Sequence, residues 1–199
     1  MLSPLLVFAP GSGAGIDHPW MQGWAARLAR IGPVVPFDYD YRREGRNAPD
    51  RLPRLITAHR GAVASASAAH PGRPVVLVGK SMGGRVGLHV AAEVPVAAAI
   101  CLGFPLVGAN GAVRDAVLRD AALPVVLVQG TRDPMAPLAR LRPVVADRAA
   151  PTVLFVVDGG DHGLVLGGPS AGRAERQAVA DEAVLTAISE ALASWGLGG

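Results

Sequence analysis

The sequence has a single cysteine, a single lysine and no apolar run long enough to cross a bilayer. Cys101 alone excludes an internal disulfide and a multi-thiolate metal site, which fits a cytoplasmic protein. The uninterrupted apolar runs reach only about six to eight residues against the ~18–20 of a membrane-spanning helix, so no membrane association is expected. Met1 to Pro10 is apolar, but no Lys or Arg precedes the run and a glycine-rich turn follows it where a signal peptide would have a cleavage site. It reads as a first strand. Charge is also sparse: 18% of the residues are Asp, Glu, Lys or Arg, and the net charge is +3. The richest basic stretch, Asp38 to Arg54, holds five arginines among four acids and lacks the interleaved aromatics of a nucleic-acid surface. It reads as a solvated loop, and no nucleic-acid partner is expected.

What is abundant is aliphatic. Half of the 199 residues are apolar, enough for one domain over residues 1–199 that buries roughly 70% of its unfolded surface. Six short runs rich in Val and Leu do not alternate with polar residues: Leu5 to Ala9, Pro33 to Phe37, Pro74 to Gly79, Val96 to Leu102, Pro124 to Gln129 and Thr152 to Val157. Strands covered on both faces have this pattern, as in a parallel sheet. Helical spacing fills the intervals. Trp20, Trp24, Leu28 and Ile31 follow Pro19, with Asp17 as the candidate cap, and a last helix from about Ala171 to Trp195 carries Val184, Ile188, Leu192 and Trp195 on one stripe. Strand and helix alternate throughout. The pattern predicts a three-layer α/β fold, a mostly parallel sheet of about six strands flanked by helices, with ligands beyond the carboxyl ends of the strands. No insertion is long enough for a lid domain.

The third run ends in Val78-Gly79-Lys80-Ser81-Met82-Gly83-Gly84, and a helix follows. This is G-x-S-x-G between strand and helix. A serine on so sharp a turn has a strained backbone that crowds the positions two before and two after it, where only glycine fits. The pattern alone is weak in a chain with 25 glycines, and Gly168-Pro169-Ser170-Ala171-Gly172 matches it too. No strand of ordinary length leads into Ser170 and no histidine follows it, so it reads as the cap region of the last helix. Gly79-Lys80-Ser81 also matches the tail of a phosphate-binding loop, but the glycine required at position 74 is Pro74, and the strand runs directly into Gly79.

A reactive serine needs a base and a group to orient that base. Asp133 follows the fifth run in Gly130-Thr131-Arg132-Asp133-Pro134, and His162 follows the sixth in Gly159-Gly160-Asp161-His162-Gly163. All three side chains therefore fall in loops at the carboxyl ends of strands. Asp133 is also placed to cap a following helix, and Asp158 and Asp161 are nearer alternatives for orienting His162. The other histidines, His18, His59, His70 and His89, read as surface or packing residues. For an oxyanion, the candidate donors are the Met82 N–H at the helix start and Ser12 N–H, with Gly13 next, in the glycine-rich loop after the first strand. Lys80 either favours an acidic substrate or packs beside the serine.

With these residues placed, Gly79-Lys80-Ser81-Met82-Gly83, Phe8-Ala9-Pro10-Gly11-Ser12-Gly13-Ala14-Gly15, Pro36-Phe37-Asp38 with Arg51-Leu52-Pro53, and Cys101-Leu102-Gly103-Phe104-Pro105-Leu106 resemble a small lidless α/β-hydrolase of a branch related to dienelactone hydrolases. The branch also includes subunit-like eukaryotic proteins of chromatin complexes. The resemblance implies an α/β-hydrolase fold, a serine hydrolase acting on a small-molecule ester or thioester without a cofactor or metal, and a triad of Ser81, His162 and Asp133. Two departures stand out. Dienelactone hydrolases proper use a cysteine nucleophile where this chain has Ser81, and Pro10-Gly11 replaces the common His-Gly oxyanion signature. Dienelactone itself is not the expected substrate. The alternative is a non-catalytic module that binds a protein partner, and pairing as a homodimer is left open.

Overall fold

The computed structural model describes residues 2–108 and 111–198; Met1, Ala109, Asn110 and Gly199 lie outside the described residues. Six strands, β1 (Leu5–Ala9), β2 (Val34–Pro36), β3 (Val75–Lys80), β4 (Ala98–Leu102), β5 (Val125–Gly130) and β6 (Thr152–Val157), form one sheet in the order β2-β1-β3-β4-β5-β6. Every pairing is parallel. Each strand lies within two residues of its apolar run. Parallel strands need crossovers, and the helices that supply them divide between the two faces.

Alternate strand residues point to opposite faces, and the core is accordingly split. Leu5, Val7, Ala9 and Leu77 face one layer, where they meet Leu55 and Val63 of α3 (Leu52–Ala69), Val86 and Val90 of α4 (Met82–Ala91), Leu118 of α5 (Ala116–Arg119) and Leu141 of α6 (Leu138–Ala146). Leu6, Phe8, Val76 and Val78 face the other, against Met21, Trp24 and Leu28 of α1 (Pro19–Leu28) and Val184, Ile188 and Leu192 of α7 (Arg173–Ser194). Arg27 and Asp181, 2.7 Å apart, tie α1 to α7 along their shared edge.

Two local expectations are corrected. The cap of α1 is His18, whose Nδ1 accepts from Trp20 N–H at 3.1 Å, and not Asp17; a ring nitrogen two residues before the orphan N–H does the work expected of the carboxylate. The stretch from Asp38 to Arg54 is not loop throughout. Asp40–Arg43 form a short helix, α2, inside a network in which Arg43 pairs with Asp40, Arg46 with Glu44 and Asp50, and Arg54 with Glu44. Its charges mostly answer one another.

The order of the sheet makes the site. The chain leaves β1 toward β2 on one side and leaves β3 toward β4 on the other, so the loops after β1 and β3 diverge and open a crevice at their carboxyl ends. Among the described residues no connection carries a lid domain across that crevice.

Candidate active site

Ser81 stands between β3 and α4 with φ 47 and ψ −112, a backbone conformation that L-residues rarely adopt. Its flanking glycines are sterically required. A Cβ on Gly79 would lie 2.1 Å from Gly84 N, and one on Gly83 would lie 2.6 Å from the Ala9 carbonyl oxygen. The turn is fixed from the neighbouring strand, because Ser81 N–H donates to Leu102 O at 3.1 Å.

The structure brings the three distant side chains into one hydrogen-bonded row. Ser81 Oγ is 2.8 Å from His162 Nε2, and His162 Nδ1 is 2.7 Å from Asp133 Oδ2. With Nδ1 protonated, the ring donates to Asp133 and Nε2 accepts from the serine hydroxyl. Asp133 is fully buried as a side chain, whereas His162 keeps partial access to solvent. Burial alone would push the Asp133 carboxyl up. The hydrogen bond and charge of His162, together with donors from Met135 N–H and the Gln129 amide, more than offset that and hold it below the ordinary carboxylate value.

The nearer acids do other work. Asp161 Oδ1 accepts from Gly163 and Val165 N–H, shaping the turn that presents His162, and Asp158 accepts from the Thr131 hydroxyl. Nor does Asp133 cap a helix: Oδ1 accepts from Met135 N–H at 2.8 Å, while the cap position of α6 is Pro137.

The candidate oxyanion donors lie beside the serine. Ser12 and Gly13 line a cavity of about 440 Å³ together with Ser81, His162, His18, Trp20 and Lys80. Ser12 also borders a second cavity of about 300 Å³ that contains Ser81 and Met82. Among the described residues, no group accepts from the N–H of Ser12 or Met82. Tyr41, buried, donates its hydroxyl to Ser12 O at 3.1 Å and so fixes the peptide of that loop.

Three contributors have roles or partners that the sequence reading did not give, Lys80 among them although its place beside the serine was expected. Gln129, fully buried at the end of β5, accepts from Phe104 N–H through Oε1 and donates through Nε2 to Asp133 Oδ2. Its signal was a lone polar residue in an otherwise apolar strand. Lys80 donates to the His162 carbonyl, and its Nζ lies 5.6 Å from the centre of the Trp20 ring. Trp20 in turn donates from Nε1 to Gly163 O at 2.7 Å, so both carbonyls of the histidine turn are held. Burial pulls the Lys80 amine down to about 8 despite the opposing charges of Asp133 and Asp161. His18 is the third, since it lines the larger cavity as well as capping α1. Cys101 is buried in β4, and burial pushes its thiol up to about 12. A thiol so placed is no substitute for the serine.

The family described as an alpha/beta hydrolase domain matches residues 3–191. This chain belongs to the α/β-hydrolase family. Solved structures agree on the fold. A serine hydrolase without a lid from Xanthomonas campestris superposes with a TM-score of 0.73 at 17% identity, covering 98% of this α/β-hydrolase and 84% of that chain. An alpha-beta serine hydrolase homologue from Coxiella burnetii gives 0.71 at 18% identity, covering 92% and 87%. A dienelactone hydrolase from Anabaena variabilis gives 0.64 at 21% identity, covering 92% and 84%. The fold of this α/β-hydrolase is therefore the expected one. Among its described residues no helix is long and apolar enough to cross a membrane, and no three His, Cys, Asp or Glu side chains gather as metal ligands.

Proposed function

We propose that this protein is a serine hydrolase that cleaves a small carboxylic ester or thioester through an acyl-enzyme. The observation that carries the reading is the 2.8 Å contact between Ser81 Oγ, on its strained turn, and His162 Nε2. In this mechanism Ser81 Oγ attacks the carbonyl carbon and its proton passes to His162 Nε2. The buried carboxylate of Asp133 holds the imidazole in the tautomer that accepts this proton and stabilises the charge that results. Negative charge develops on the carbonyl oxygen, where the N–H groups of Met82 and Ser12, with Gly13 beside them, are the donors. The intermediate then collapses. The bond to the alcohol or thiol breaks, and the leaving group takes the proton from His162. Water attacks the acyl-serine, His162 removes its proton, the carboxylic acid departs and Ser81 recovers its hydroxyl.

The single buried cysteine supports a cytoplasmic setting for this activity. The non-catalytic alternative calls for a sizeable exposed apolar patch. The exposed large hydrophobics among the described residues, Leu2, Val113, Val165 and Val179, stand on four separate segments of the chain.

A fluorophosphonate probe tests the proposal. It is expected to label the wild-type protein and to spare Ser81→Ala, and short p-nitrophenyl esters are expected to be turned over by the first and not the second. Failure to label a folded sample would overturn the reading.

A further inference from the structure

Two cavities meet at Ser81, and they differ in chemistry. The larger contains His162 and is walled by Trp20, Met21 and Val165. The smaller lies between α3, the start of α4 and the loop after β4, and two arginines, Arg85 and Arg114, line it.

Most arginines of this chain that leave the solvent are answered. Arg27 pairs with Asp181, Arg46 with Glu44 and Asp50, and Arg148 donates to Thr152 and to the Leu118 and Leu123 carbonyls. Arg85 and Arg114 are not. Among the described residues neither guanidinium has an ion pair or a hydrogen-bond acceptor, and Arg85 Nε is sealed from solvent with no partner. Burial, then the charge of Arg114, depresses Arg85. Arginine does not give up its proton in a protein. The one carboxylate in the lining, Asp50, is engaged by Arg46 and Arg54. The backbone beneath Arg114 is fixed, since its N–H donates to Leu106 O at 2.8 Å and the adjacent residues Val107 and Val113 form a bridge. Two like charges with open donors, held in one half-buried wall, form a fork for an anion.

The chemistry says which part of a substrate that anion belongs to. The departing group must receive its proton from His162 Nε2, so it lies in the cavity that His162 lines. The acyl group takes the other. We infer that the smaller cavity is a subsite for an anionic acyl group, and that the substrate is the half-ester or half-thioester of a short dicarboxylic acid, its free carboxylate bound by Arg85 and Arg114. The inference rests on the hydrolase reading for the position of the scissile bond, but the anion site itself does not.

The test compares p-nitrophenyl hydrogen glutarate with p-nitrophenyl pentanoate at matched ionic strength. The wild-type kcat/KM is expected to favour the acidic ester by about tenfold or more. Arg114→Gln is expected to bring the ratio close to one, and Arg60→Gln, on the exposed side of α3, to leave it at the wild-type value. A wild-type preference for the neutral ester, or an unchanged ratio in Arg114→Gln, would overturn the inference. If neither ester is cleaved and the fluorophosphonate does not react, the hydrolase reading fails by itself. Glutarate then decides the subsite through the melting temperature, read against sodium chloride of equal ionic strength. A rise with glutarate that Arg114→Gln abolishes supports the anion site, and no rise overturns it.

Discussion

The amide of Gln129 donates to the same Asp133 oxygen that His162 Nδ1 approaches from the other side. Its own oxygen accepts from Phe104 N–H at 3.1 Å, so one fully buried side chain links the end of β5 to the loop after β4. Gln129→Leu removes both bonds. It is expected to lower kcat/KM on a p-nitrophenyl ester by about ten- to a hundredfold, equivalent to ~1.4–2.8 kcal/mol of transition-state stabilisation. The orphaned Phe104 N–H should also cost about 1–3 kcal/mol in urea unfolding. A variant with wild-type turnover would remove Gln129 from the positioning of Asp133.

Gly103 packs under the histidine turn. With φ +69, it faces the His162 carbonyl so closely that a Cβ would lie 2.6 Å from that oxygen and 2.9 Å from Lys80 Nζ. Gly103→Ala is expected to fold with a loss of about 1–3 kcal/mol, from backbone strain and displacement of the turn. Fluorophosphonate labelling of Ser81 should slow at least tenfold in the same variant, the kinetic equivalent of ~1.4 kcal/mol. A labelling rate equal to wild type would show that the turn accommodates the methyl group without moving His162.

Lys80 makes stability depend on pH in the alkaline range. Its amine is pulled down to about 8 by burial, from an ordinary 10.5. Between those values the unfolded chain binds the proton and the folded chain does not, so stability rises with pH. The wild type should gain on Lys80→Met by up to about 1.4 kcal/mol per pH unit across that window, measured by denaturant titration. Parallel curves for the two proteins from pH 8 to 10.5 would refute a neutral, buried amine.

His59 acts at the acid end. Its ring is fully buried on α3, Nδ1 is paired with the Tyr39 hydroxyl at 3.1 Å, and burial pulls it from 6.5 down to about 3. Here too the unfolded state holds the extra proton. Stability should therefore fall as pH drops through this window, by up to about 1.4 kcal/mol per unit beyond the slope of a His59→Phe variant. Equal slopes would mean that the ring is protonated in place.

Much of this arrangement was legible because it is local. The four inner strands, β1, β3, β4 and β5, bury both faces, so they declare themselves as unbroken runs such as Val125 to Val128, and the backbone of Ser81 declares itself through the glycines on either side. Asp133 and His162 were legible because they stand directly after strands, where the fold brings loops together. What escaped depends on partners far along the chain. Nothing near Gln129 announces Phe104 or Asp133, and nothing near Lys80 announces the carbonyl of His162. The cap of α1 was misplaced because Asp17 and His18 are neighbours and only their backbone angles decide between them. Arg85 and Arg114 look like two more arginines in an arginine-rich chain until their lack of partners is seen in three dimensions.

The φ of 47 at residue 81 leaves the fold with an internal tension that the rest of the turn must hold shut. Glycine would rest there without complaint, so Ser81→Gly should melt higher than the parent while doing no chemistry. Heat tolerance and turnover would then pull this position in opposite directions, and selection for thermal hardiness alone would erode the hydroxyl first.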